Sequence, residues 1–116
     1  MAGKFVWFDV ATRDAAAVSG FYAELLGWPI GAAEDAGPYR GWVMADDQPW
    51  AGVVEADDAT AGRWVPYVQV DDLDAATAKA KQLGATIVVD RSDGPAGTSV
   101  TVADPGGALV ALWVPR

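Results

Sequence analysis

The chain has 116 residues, 52% of them hydrophobic, with 16 acidic side chains against 8 basic ones and neither Cys nor His. That length fits a single domain with its own core, and the even spread of apolar residues excludes disorder. The missing residue types exclude a disulfide framework, Cys or imidazole metal ligands, a thiol nucleophile and a Ser-His-Asp triad.

The segment 4–10 alternates around Val6, Phe8 and Val10 and reads as a strand. Asp14 caps a helix running to about Leu26, with Val18, Phe21, Tyr22 and Leu25 at helical spacing. Gly27 supplies the left-handed stop and Pro29 follows it. Strands are expected at about 29–34, 39–45 and 50–55, separated by Gly37-Pro38 and Asp46-Asp47-Gln48-Pro49. The pattern then restarts. Trp64 to Val70 is a strand, and Asp72 or Asp74 opens a helix carrying Leu73, Ala76, Ala80 and Leu83, which Gly84 stops. Strands follow at about 85–90, 98–103 and 107–114, with turns at Asp93-Gly94-Pro95 and Asp104-Pro105-Gly106-Gly107.

The two halves overlay. Val10-(x)3-Asp14-Ala15 lies 60 residues before Val70-(x)3-Asp74-Ala75, and Leu26-Gly27 lies 57 residues before Leu83-Gly84. The expected fold class is therefore α+β: two tandem βαβββ modules, each a curved mixed sheet with a helix on one face. Within one domain, 1–116, the first module covers 1–57, a linker 58–62 and the second module 63–116.

The duplication, together with Phe21-Tyr22-(x)3-Leu26-Gly27-Trp28, Val68-Gln69-Val70-Asp71-Asp72-Leu73-Asp74-Ala75 and Ala103-Asp104-Pro105-Gly106-Gly107, resembles the vicinal-oxygen-chelate superfamily. That group contains glyoxalase I, extradiol dioxygenases, fosfomycin-inactivating enzymes and bleomycin-resistance proteins. The resemblance spans nearly the whole chain. It implies metal ligands, usually His or Glu, on the first and last strands of each module. Those positions fall on Trp7, Tyr67, Ala111 and, at or next to one of them, Glu55. One carboxylate does not make a site for zinc, nickel or iron, so the metal is read as lost and no cofactor is expected. A weak hard-cation site from Asp9 and Glu55 is the residual alternative.

Strand alternation suggests what stands in its place. In the first strand Val6, Phe8 and Val10 go to the helices, and Phe5, Trp7 and Asp9 to a cavity. In the last strand of that module Val54 is read as buried, with Val53 and Glu55 facing the cavity. In the second module Val68, Val70, Val110, Leu112 and Val114 go to the helices, leaving Tyr67, Gln69, Ala111 and Trp113 on the other face, with Ser99 and Thr101 opposed to Val100 and Val102. The expected ligand-binding set is Trp7, Asp9, Trp42, Glu55, Tyr67, Gln69 and Trp113: large apolar surfaces with a few polar groups. Trp28 is read as packing, and Trp50 and Trp64 suit packing or contact equally. Asp71, Asp72 and Asp74 are read as helix capping, Asp57-Asp58 as a solvated linker, and Lys79 and Lys81 as complements to a helix C-terminus.

Three functions fit this sequence. The favoured one is a metal-independent small-molecule binding protein, of the bleomycin-resistance kind that the resemblance implies, sequestering a cationic aromatic antibiotic or metabolite. The net charge of −8 suits such a partner. The second is a metal-independent isomerase, lyase, cyclase or epoxide-opening enzyme, with Glu55 or Asp9 as general acid/base and Tyr67 polarising an oxygen. The third is a protein-interface module. A homodimer is expected, because pairing modules covers sheet edges. Nucleic acid is not an expected partner, since the basic residues are scattered. Nor is a membrane, since no apolar run nears about 20 residues. The N-terminal residues carry no signal-peptide pattern, so the cytoplasm is the expected compartment.

Overall fold

A computed structural model describes residues 2–116. The chain divides into two compact units, Trp7–Trp64 and residues 2–6 with Val65–Arg116. The order of elements is β1 (Phe5–Thr12), α1 (Ala15–Leu26), β2 (Ile30–Ala32), β3 (Tyr39–Ala45), β4 (Gln48–Glu55), β5 (Arg63–Gln69), α2 (Leu73–Gln82), β6 (Thr86–Asp93), β7 (Gly97–Ala103) and β8 (Leu109–Pro115). The β-α-β-β-β pattern thus occurs twice, as the duplicated sequence predicts.

In the first unit the strands lie in the order β2-β3-β4-β1, with β1 parallel to β4 and the β2–β3 and β3–β4 pairs antiparallel. Asp14 caps α1 by accepting a bond from Ala17 N, and Gly27 ends the helix in the left-handed region at φ 70°. A side chain with a Cβ is disfavoured there. Val10, Ala15, Val43, Ala51 and Val53 form the core, with Phe8, Val18, Tyr22, Trp28, Ile30, Trp50 and Trp64 packed around it. Trp28 stacks on Tyr22 at 5.2 Å, and Trp64 Nε1 donates to the Tyr22 hydroxyl at 2.9 Å. Trp28, Trp50 and Trp64 are therefore packing residues on the α1 side of the sheet. Phe21 and Leu25 are exposed rather than buried, because α1 meets the sheet through Ala15, Val18 and Tyr22, a column one residue over.

The second unit repeats this topology: β6-β7-β8-β5, with β5 parallel to β8. Asp72 caps α2, accepting from Ala75 N, while Asp74 sits in the first turn and Lys79 and Lys81 in the last. Leu73, Val100 and Val102 are buried, with Val70, Ala85, Ile87, Val110, Leu112 and Val114 packed against them. Leu83 is exposed, since the helix ends before it can turn inward. Asp104 Oδ1 accepts from Gly106 N and Ala108 N, which closes the β7–β8 turn. No described helix is long and apolar enough to cross a membrane.

Candidate functional site

The register of β1 on β4 fixes which residues share a face. Phe8 pairs with Ala51, Asp9 with Gly52, Val10 with Val53 and Thr12 with Glu55. Partners across a parallel pair point the same way. Val10, Ala51 and Val53 pack with Ala15 of α1. Trp7, Asp9 and Gly52 therefore belong to the face turned away from the helix. In β3, Trp42 pairs with Gly52 and Tyr39 with Val54, which adds both rings to that face.

Asp9 is the centre of this arrangement. It is 4% exposed, and its carboxylate accepts from Trp7 Nε1 at 2.7 Å (Oδ1) and from the Tyr39 hydroxyl at 2.9 Å (Oδ1) and 2.7 Å (Oδ2). Charge-assisted bonds of this kind are stronger than neutral ones, and a buried carboxylate requires them. Trp42 stacks on Tyr39 with centroids 4.6 Å apart and meets Trp7 edge-on at 6.0 Å. The three half-buried rings form one wall on the sheet: a single carboxylate bonds Trp7 and Tyr39, and Trp42 packs against both. Gly52 makes room for it. A Cβ there would run into the Tyr39 ring and come within 2.9 Å of Asp9 Oδ1.

Tyr39 is absent from the sequence-based set. It follows Gly37-Pro38, which reads as a turn, and nothing in the local pattern ties it to Asp9, thirty residues earlier. The small residue at position 52, inside an otherwise apolar strand, is the one local hint, since such a glycine often marks a close approach.

Glu55 corrects the expected site. It pairs with Thr12 on the helix side of the sheet, the face opposite Asp9, and is exposed. It borders an open groove of about 400 Å³ with Arg13, Asp14, Ser19 and Arg40. Val53, expected to face the cavity, is fully buried in the core, while Val54 lies on the other face. The cause is the register shift in the β3–β4 ladder between Val43 and Met44. There Met44 pairs with Pro49 but Val43 with Ala51, so Trp50 is an extra residue on β4. An inserted residue reverses the alternation beyond it. Glu55 and Asp9 therefore share neither a cation site nor an acid/base pair.

In the second unit, Tyr67 pairs with Ala111 and Gln69 with Trp113 across β5–β8, while Ser99 pairs with Trp113 and Thr101 with Ala111 across β7–β8. These six residues share one face, as the alternation predicts. Tyr67 and Trp113 are half-buried, Gln69 is exposed and Ala111 is fully buried. Gly97 lets the Trp113 indole lie close: a Cβ there would sit 2.6 Å from Trp113 Nε1.

The residues at the superfamily's metal positions do not fit a metal. Trp7 Nε1 carries a proton, which it gives to Asp9, and has no lone pair to offer. Ala111 presents a methyl group, and Glu55 points to the other face. Among the described residues no group of three or more His, Cys, Asp or Glu is placed to hold an ion.

The glyoxalase-like domain model matches residues 6–113. The anthracycline biosynthesis protein DnrV of Streptomyces peucetius is 30% identical over 128 aligned positions, covering 96% of this chain and 46% of DnrV. CFP32 of Mycobacterium tuberculosis, which carries a glyoxylase name, is 31% identical, covering 92% of this chain and 44% of that protein. The chain thus spans under half the length of these curated relatives. Among solved structures, homoprotocatechuate 2,3-dioxygenase from Brevibacterium fuscum aligns with a TM-score of 0.65 at 18% identity, over 99% of this chain and 37% of that one. The hypothetical protein BH1468 from Bacillus halodurans aligns at 0.64 and 12%, over 97% and 94%. With two βαβββ units and a family model that matches almost end to end, the chain belongs to the glyoxalase-like family of the vicinal-oxygen-chelate superfamily.

Proposed function

We propose that the chain is a metal-independent binding protein for planar aromatic small molecules, which dock on the wall of Trp7, Tyr39 and Trp42. The observation that carries this reading is the wall itself: three half-buried rings on the sheet face away from α1, with Trp42 touching both Trp7 and Tyr39 and the buried Asp9 carboxylate bonding those two. Rings so fixed lose little freedom when a ligand stacks on them, which favours binding. The relation to a protein named for anthracycline biosynthesis supports a polycyclic aromatic ligand. The net charge of −8 supports a cationic substituent by raising the local concentration of cations. Asp9 is not the group that meets such a cation directly, because it is buried behind the rings and already accepts from two donors.

The geometry favours binding over acid/base chemistry. Of the two carboxylates considered as catalysts, Glu55 is on the opposite face and Asp9 is engaged. The test is a fluorescence titration of the purified chain with the cationic anthracycline daunorubicin. The expected result is saturable quenching that weakens at least tenfold in Trp42→Ala. A flat titration, or one unchanged by Trp42→Ala, overturns the proposal.

A further inference from the structure

The wall contains three polar hydrogens: the indole N–H of Trp7, the hydroxyl of Tyr39 and the indole N–H of Trp42. Asp9 takes the first two. No described residue accepts from Trp42 Nε1, and that nitrogen is not among buried polar atoms lacking a partner, so it reaches solvent. Its direction is set by two ring contacts, the stack on Tyr39 and the edge on Trp7. Donation to a carboxylate also shifts electron density into the Trp7 and Tyr39 rings. Electron-rich faces prefer electron-poor partners, because ring–ring attraction is largely electrostatic in its geometry.

We infer that this wall selects planar ligands bearing a ring carbonyl, such as a quinone, whose oxygen accepts the Trp42 indole N–H. This rests on the reading that the wall binds planar aromatics, and it names the chemistry that decides among them. A ring carbonyl serves both features at once, since it withdraws electrons from the ligand face and supplies the acceptor that Trp42 lacks. Asp9 acts as a positioning residue. By taking the other two donors it leaves the Trp42 N–H as the one polar hydrogen of the wall that it does not bind. In such sites a hydrogen-bonding mismatch discriminates more strongly than a change in apolar area.

The experiment compares hydroxymethyl-anthraquinone with hydroxymethyl-anthracene by titration calorimetry. The two share a fused-ring skeleton and differ in the ring carbonyls. The quinone is expected to bind at least about fivefold more tightly, the worth of one net hydrogen bond. In Trp42→Phe, which keeps a ring and loses the donor, the preference should fall to within about twofold. In the unaltered chain the Trp42 indole N–H resonance should move downfield with the quinone and not with the hydrocarbon, which keeps the test independent of how the variant folds. Equal affinities, or a preference that survives Trp42→Phe, overturn the carbonyl selection while leaving aromatic binding intact. Failure of both probes to bind overturns both.

Discussion

Replacing Asp9 by Ala removes the acceptor that fixes the Trp7 and Tyr39 donors. Leaving a buried donor unsatisfied costs about 1–3 kcal/mol. Both rings here are half-buried, so each donor can partly recover water, and the lower half of that range applies. Two such donors cost about 2–4 kcal/mol together, and relief of the buried charge returns about 1 kcal/mol, so the expected net loss is about 1–3 kcal/mol for Asp9→Ala. For Asp9→Asn, which keeps one acceptor oxygen in nearly the same shape, about 1–2 kcal/mol is expected, the difference between charge-assisted and neutral bonds. For a domain of this size each kcal/mol lowers the melting temperature by about 4 °C, so the Ala variant should melt roughly 4–12 °C lower. The assay is urea unfolding followed by tryptophan fluorescence, with slopes compared to verify that the unfolded states match. An Asp9→Ala stability within about 0.5 kcal/mol of the parent would refute the anchoring role.

Gly52→Ala should destabilise by about 1–3 kcal/mol, since its methyl displaces the Tyr39 ring and crowds Asp9 Oδ1; near-UV circular dichroism should show the rings loosened. Glu55→Gln should leave daunorubicin affinity within about twofold, because Glu55 occupies the other face, and a large loss would contradict the register described above. Prolonged dialysis against a chelator should leave the same titration unchanged, as the residues at the family's metal positions offer no ligand set. Gly27→Ala should cost about 1 kcal/mol in chemical unfolding, since φ 70° there disfavours any side chain.

Most of the fold was legible because its signals are local. Asp14 and Gly27 mark the ends of α1 by the chemistry of capping, and the second half repeats that grammar at Asp72. Faces were legible wherever the ladder ran without interruption: Tyr67, Gln69 and Trp113 lie together because the β5–β8 and β7–β8 registers are regular. Glu55 was misread because the extra residue at Trp50 is set by tertiary pairing, and an alternating pattern carries no trace of it. Asp9 stands in the expected ligand-binding set, and the structure gives it a different surrounding. Its charge suggested attraction of a ligand, whereas its burial and its bonds to Trp7 and Tyr39 make it the support of the wall. Phe21 and Leu25 have helical spacing with Val18 and Tyr22, yet the helix rolls so that only the latter two reach the sheet.

The six tryptophans offer the most direct test, because the indole N–H signals of Trp7 and Trp42 report the face away from α1, and those of Trp28 and Trp50 the packed face. In a titration of labelled protein with daunorubicin, the Trp7 and Trp42 signals should shift together and saturate while Trp28 and Trp50 stay in place. Shifts confined to Trp28 and Trp50, or none at saturating ligand, would contradict the account.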